Sequence, residues 1–260
     1  KLIKFCDHKN CIFFILFAKL VVIDSAPTST LGIIVKYYIW NQSMEHTNNT
    51  LTVNETTYRA LREKILFGEM LPGRAFTLRG LAETLGVSPT PVRETVRRLT
   101  AERALSLKDN RRVSIPDMTA KRFQEIRHAR LILEPELATL AMINIDSKII
   151  KKLIDIDKKT DTALFEGDLE GYMRGNYDFH FTIYRLAHNK VLLSLVESLW
   201  LQFGPYMRLV YNRLGTDSLD DQHRVATKAL EDNDCIGFKN AIMEDLQQGM
   251  TFIGASKTLL

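Results

Sequence analysis

Four polar side chains in the C-terminal half, Asn176, His180, His223 and Asp245, combine two imidazoles with a carboxamide and a carboxylate oxygen. That is the donor set of a borderline divalent ion. Asn176 and His180 are four residues apart, so on a helix they share one face, one turn above the other. His223 falls near the start of a later helical segment and Asp245 on the last one, so three helices must converge to complete the set. The same residues also suit a hydrogen-bonded polar core, and spacing alone leaves both readings open. A second constellation lies upstream, where Thr90, Arg93, Arg97 and Arg98 crowd the first turns of an amphipathic segment. Hydroxyl and guanidinium groups in that position contact phosphates and base edges.

The upstream group needs a helix–turn–helix to present it. Residues 58–67 (YRALREKILF) predict a first helix, ended by a GEMLPG turn at residues 68–73. Leu78, Leu81, Ala82 and Leu85 then recur at helical spacing, and Gly86 supplies the backbone freedom a tight turn requires. Ser88 stands where an N-cap belongs, and Pro91 falls in the first turn, where a missing N–H costs little. Val92, Val96 and Leu99 bury one face of this second helix and leave Thr90, Arg93, Arg97 and Arg98 off it. The segment SLKDNRRVSIP beyond it predicts a basic two-stranded wing carrying Arg111 and Arg112. Over residues 57–118 there are twelve Lys/Arg against seven Asp/Glu, and residues 119–260 are slightly acidic. A local positive excess that coincides with such a layout predicts one nucleic-acid face.

The metal-type residues need a bundle. From about residue 120 apolar side chains fall at helical spacing with almost no strand alternation. Six helices are predicted at about 119–143, 146–166, 168–188, 190–212, 217–232 and 234–256, joined by short connections that imply antiparallel neighbours. Pro135 and Gly204-Pro205 are expected to kink the first and fourth of them. Phe179, Phe181, Tyr184, Trp200, Phe203, Tyr206 and Tyr211 read as core. The fold class is therefore mainly α: an N-terminal winged helix–turn–helix with a small β-hairpin wing, then an all-α antiparallel bundle of six to seven helices. At 260 residues with a net charge of +4, the chain has room for two cores. Cys6, Cys11 and Cys235 have no metal or disulfide spacing, and no nucleotide-binding glycine loop or Ser–His–Asp order is present.

Residues 1–43 differ from the rest. Their apolar run from residue 11 to 23 is interrupted by Lys19 and is short for a membrane span. A secretory signal would separate a DNA reader from its DNA. Met44 opens a polar leader at residues 44–56, so residues 1–43 are read as an upstream, non-native or disordered extension. The DNA-binding domain is placed at 57–118 and the helical domain at 119–260.

Residues 60–116 closely resemble the winged helix–turn–helix of the GntR transcription-factor family, through an apolar first helix, GEMLPG, FTLRGLAETLGVSPTPVRETVRRL and SLKDNRRVSIP. The resemblance implies that Arg79, Thr90 and Arg93 approach the operator. Gly80 stands where the family favours an acid, Pro89 replaces a base-contacting Arg, and Arg111-Arg112 occupy a wing tip where Gly is common. Residues 120–257 resemble the FCD effector-binding domain of the FadR subfamily, through RLILEPELA, GNYDFHFTIYRLAHN and DQHRVATKALEDND. That resemblance maps its metal ligands onto Asn176, His180, His223 and Asp245, the last replacing a His, and its cavity arginine onto Arg130. Zn, Mn or Ni are the implied ions. A carboxylate can ligate at position 245, with a shift towards harder ions. Arg130 could grip a ligand carboxylate or pair with Glu134 one turn on.

The expected protein is a cytoplasmic homodimer that binds a pseudo-palindromic double-stranded operator and responds to a small organic acid. It is expected to be neither an enzyme nor a membrane protein. The alternatives are a metal-dependent enzyme using the bundle site and a regulator anchored to a membrane through residues 1–43.

Overall fold

The computed structural model describes residues 52–108, 112–214 and 221–254, so the extension at 1–43, most of the leader, Arg111 and the 215–216 connection lie outside the described residues. Helix α1 (Val53–Leu66) begins five residues before the expected start and includes residues 53–56, which the sequence reading gave to the leader. Its cause is Thr52, whose hydroxyl accepts from the Glu55 N–H at 3.2 Å. Thr52 and Glu55 have the spacing of a capping box. Strand β1 (Ala75–Thr77) follows, then helix α2 (Leu78–Leu85) and helix α3 (Pro89–Ala101). Thr77 caps α2, accepting from Gly80 N–H at 3.0 Å, and Gly86 ends it with φ of 65°, as its type predicts.

Strands β2 (Ser106–Leu107) and β3 (Arg112–Ser114) form the wing, with Leu107 opposite Val113. The sheet has three strands rather than two, in antiparallel order β1-β3-β2. β1 pairs Phe76 with Val113, and Val113 is fully buried. Three residues are too few to show an alternation in sequence, so β1 was not foreseen.

The remainder is helical, as predicted: α4 (Ala120–Ala141), α5 (Ser147–Phe165), α6 (Leu169–Tyr184), α7 (Lys190–Leu214), α8 (Gln222–Glu231) and α9 (Cys235–Gly254). Single 3-10 turns extend α4 and α6. Thr119, Asp146, Asp168 and Asp221 each cap the following helix through a side-chain oxygen. Pro135 and Pro205 sit inside α4 and α7, each removing one backbone donor. Helix α5 packs on α6, α8 on α9, and α9 on α4. Among the described residues no helix is long and apolar enough to cross a membrane.

Reader and bundle form one compact unit, and a single cluster of buried apolar side chains runs through both. Gly204 makes the join: a Cβ there would lie 2.4 Å from the Leu66 carbonyl oxygen, so only glycine lets α7 touch the end of α1. Phe67 packs edge-on against Tyr177 of α6 with ring centres 5.8 Å apart, and the Arg174 guanidinium covers the Phe67 ring at 4.1 Å. Arg208 donates to the Phe67 carbonyl at 3.0 Å, and Ser198 donates to the Glu102 carbonyl at 3.2 Å.

Candidate metal centre and nucleic-acid interface

Helix α6 presents Asn176 and His180 on one buried face, as their spacing requires. The Asp221 cap starts α8 so that His223 falls in its first turn, and α9 brings in Asp245. The four predicted residues line one cavity of about 140 Å³, with Arg130, Asp157, Asp161 and Trp200 in its wall. The His180 and His223 Nε2 atoms are 3.4 Å apart. Asp245 Oδ2 lies 3.0 Å from the first, and Oδ1 lies 3.7 Å from the second.

The rear nitrogen of each ring has its own partner. His223 Nδ1 is 2.9 Å from Asp157 Oδ1, and the ring stacks on Phe179 at 3.8 Å. His180 Nδ1 is 3.1 Å from the Tyr184 hydroxyl, which itself donates to Glu134 at 2.9 Å. With its proton so used, the tyrosine oxygen accepts from His180, and Asp157 accepts from His223. This network assigns both N–H groups to Nδ1 and turns both Nε2 lone pairs towards Asp245. Two lone pairs and a carboxylate facing one another require a proton or a cation between them. Asn176 Oδ1 is buried without a hydrogen-bond partner, an acceptor left for the same space. The set fits a divalent ion: His180, His223, Asp245 and Asn176 would hold it, and Asp157 and Tyr184 would orient the rings.

In the ion-free protein the electrostatics put a proton, in place of a cation, between the rings and Asp245. Burial disfavours a charged His223, but the Asp157 hydrogen bond and the charges of Asp245, Asp157 and Asp221 outweigh it and raise its pKa above the ordinary histidine value. Burial likewise works against an ionised Asp245, yet the bond to His180 and the charge of His223 hold it below the usual carboxylate range. Burial and the neighbouring Asp157 and Asp221 push Asp161 up.

Arg130 lines the cavity, but its guanidinium is committed to Glu134 through Nε and Nη2. Its Nη1 contacts Met250 Sδ at 3.6 Å, and the group lies over the Trp200 ring at 4.7 Å. Glu134 is fully buried and also accepts from Trp200 Nε1 at 2.9 Å. Of the two sequence readings of Arg130, the ion pair is the one the structure contains. Asp157 was missed. Its signal was an acid on the stripe of α5 that buries Leu153, Thr160 and Ala163.

On the reader, Arg79, Thr90, Arg93, Arg97 and Arg112 are all exposed, while Arg111 lies outside the described residues. Arg79 pairs with Glu83 at 3.0 Å, and Arg97 pairs with Glu94 at 3.3 Å. Arg98, though exposed, reaches across to α1, stacked 3.4 Å over Tyr58 and paired with Glu55 and Glu102. Ser88 occupies the N-cap position of α3 but makes no side-chain cap bond, contrary to expectation. Pro89 and Pro91 carry no N–H, so Thr90 offers the one backbone donor among the first three positions of that helix. Thr90 and Arg93 thus stand at an open, electropositive helix start.

Comparison with known proteins matches both halves. Residues 53–115 match the family model described as bacterial regulatory proteins, gntR family, and residues 125–248 match the FCD domain. The chain is 28% identical over 213 residues to the HTH-type transcriptional regulator McbR of Escherichia coli strain K12, spanning 81% of this chain and 95% of that protein. It is 32% identical over 142 residues to the uncharacterized HTH-type transcriptional regulator YdhC of Bacillus subtilis strain 168, or 54% of this chain and 63% of the other. The solved structure of E. coli McbR/YncC superposes with a TM-score of 0.73 at 26% identity, covering 78% of this chain and 98% of that one. A putative GntR regulator from Rhodococcus sp. RHA1 shares the fold with a TM-score of 0.65 at 18% identity, over 80% of this chain and 100% of that one.

Proposed function

The chain belongs to the GntR family of bacterial transcription regulators, with an FCD domain of the FadR type, and we propose that its grip on an operator is set by a divalent ion and a small ligand in the bundle cavity. One observation carries this reading. Both histidines have their rear nitrogens tied, to Asp157 and to Tyr184, while their Nε2 atoms converge with Asp245 beside an unpartnered Asn176 oxygen. Metal sites orient imidazoles in this way. The ion has a structural and ligand-orienting role, with no turnover.

On this reading Thr90 and Arg93 address base edges, while Arg79, Arg97, Arg111 and Arg112 serve the phosphates and the wing. The protein acts in the cytoplasm as a homodimer on a pseudo-palindromic operator, because two-fold symmetry doubles the contacts of a small reader. A small carboxylate ligand would bind through the ion, since the Arg130 charge is already answered by Glu134. Zn, Mn and Ni are the candidate ions. Metal analysis of protein purified without chelator tests the centre: about one ion per chain is expected, and His180→Ala should abolish it. An ion content near zero, unchanged on adding Zn or Mn, would reduce the four residues to a polar core.

A further inference from the structure

Three carboxylates, Asp157, Asp161 and Asp221, line the same cavity beside the histidine cluster, with oxygens within 4.8 Å of one another. Asp157 and Asp161 lie one turn apart on α5, and Asp221 caps α8. Asp157 is held by His223. Asp221 accepts the Arg224 N–H of its own helix. Among the described residues neither Asp161 nor Asp221 forms an ion pair with a lysine or arginine. Like charges at this spacing repel one another, and a cation brought among them gains from all three.

A second feature points to an occupant: Asn176, 9% exposed, lines the cavity with an oxygen that has no partner. The guanidinium in the wall, that of Arg130, is neutralised by Glu134. The cavity therefore offers acceptors and negative charge. A simple diacid would be repelled at the aspartates. A divalent ion facing the single charge of Asp245 retains one positive charge, enough for one carboxylate.

We infer that the effector is a zwitterion, its carboxylate on the ion and its ammonium against Asp161 and Asp221. This rests on the proposed metal centre. Asp157 stands behind the His223 ring, an imidazole's width and a hydrogen bond away from its Nε2, and its oxygen lies within 4.8 Å of those of the exposed Asp161 and Asp221. The amine and carboxylate are thus separated by several bonds, as in an ω-amino acid.

Calorimetry on the full-length, zinc-loaded protein tests this with a chain-matched set: 5-aminopentanoate, pentanoate, glutarate and pentylamine. The amino acid is expected to bind about tenfold or more tighter than pentanoate, with glutarate weaker than both. Asp161→Asn should erase most of that advantage and leave pentanoate unchanged. Pentanoate or glutarate binding as tightly as the amino acid overturns the inference, as does an unaffected Asp161→Asn variant or no binding by any probe. A second zinc ion lost in that variant also overturns it, because the aspartates would then be a metal site. A zinc titration run beforehand separates the two readings. Absent zinc binding contradicts the metal centre itself, whereas zinc binding without amine preference contradicts only the zwitterion.

Discussion

Asp157 touches no ion in the proposed centre, yet it fixes which nitrogen of His223 faces the cavity. Asp157→Asn keeps the shape but weakens that orientation, and zinc affinity should fall about 10- to 100-fold in a competitive titration. Unchanged affinity would remove Asp157 from the centre. Protons compete for the same imidazole. In the ion-free protein the raised pKa of His223 contributes stability that is full below the unfolded value and lost as pH rises through the folded one. Asp245, held low, contributes above its unfolded range and loses this only in acid, outside that window. The ion needs a neutral His223, so its stabilising effect should grow with pH. The melting-temperature gain on adding zinc is expected to be larger at about pH 8 than at about pH 6. A larger gain at the lower pH would contradict the assignment. At this scale the sequence displayed the candidate ligands but not their supports. Asn176 and His180 advertise a shared face by spacing, whereas the bonds from His180 through Tyr184 to Glu134 and from His223 to Asp157 exist only once separate helices have packed.

Helices α2 and α3 were legible because each signal is local: Gly86 at the turn, the proline at the start of α3, and buried Val92, Val96 and Leu99 at helical spacing. The start of α1 was misread although Thr52 and Glu55 carry a capping signature, because the residues between are polar and exposed Val53 breaks the amphipathic pattern. Strand β1 owes its existence to its partner β3 and could not be seen alone. For the reader, Arg93→Ala should weaken operator binding by about 1–3 kcal/mol and relax base preference at one position, with the fold intact by circular dichroism. Gel shifts showing wild-type affinity and preference would mean that α3 meets DNA by another face. Helix α6 links cavity and reader: Asn176 and His180 face the cavity, while Arg174 and Tyr177 reach Phe67 at the end of α1.

Reader and bundle are one packed unit, and that was not legible in a composition that shows two cores' worth of residues. The join depends on Gly204 against Leu66 and on Arg208 against Phe67, contacts between residues far apart in the chain. Such a join can transmit strain from cavity to reader, since packed cores shift between discrete arrangements rather than deform smoothly. Coupling between two sites in a protein typically changes affinity by about 5- to 150-fold. Operator affinity measured by fluorescence anisotropy, with the protein zinc-loaded and then stripped by chelator, tests this directly. The account predicts isotherms about fivefold or more apart, with the difference lost in His180→Ala. Superimposable isotherms for a protein shown to gain and lose its ion would contradict it.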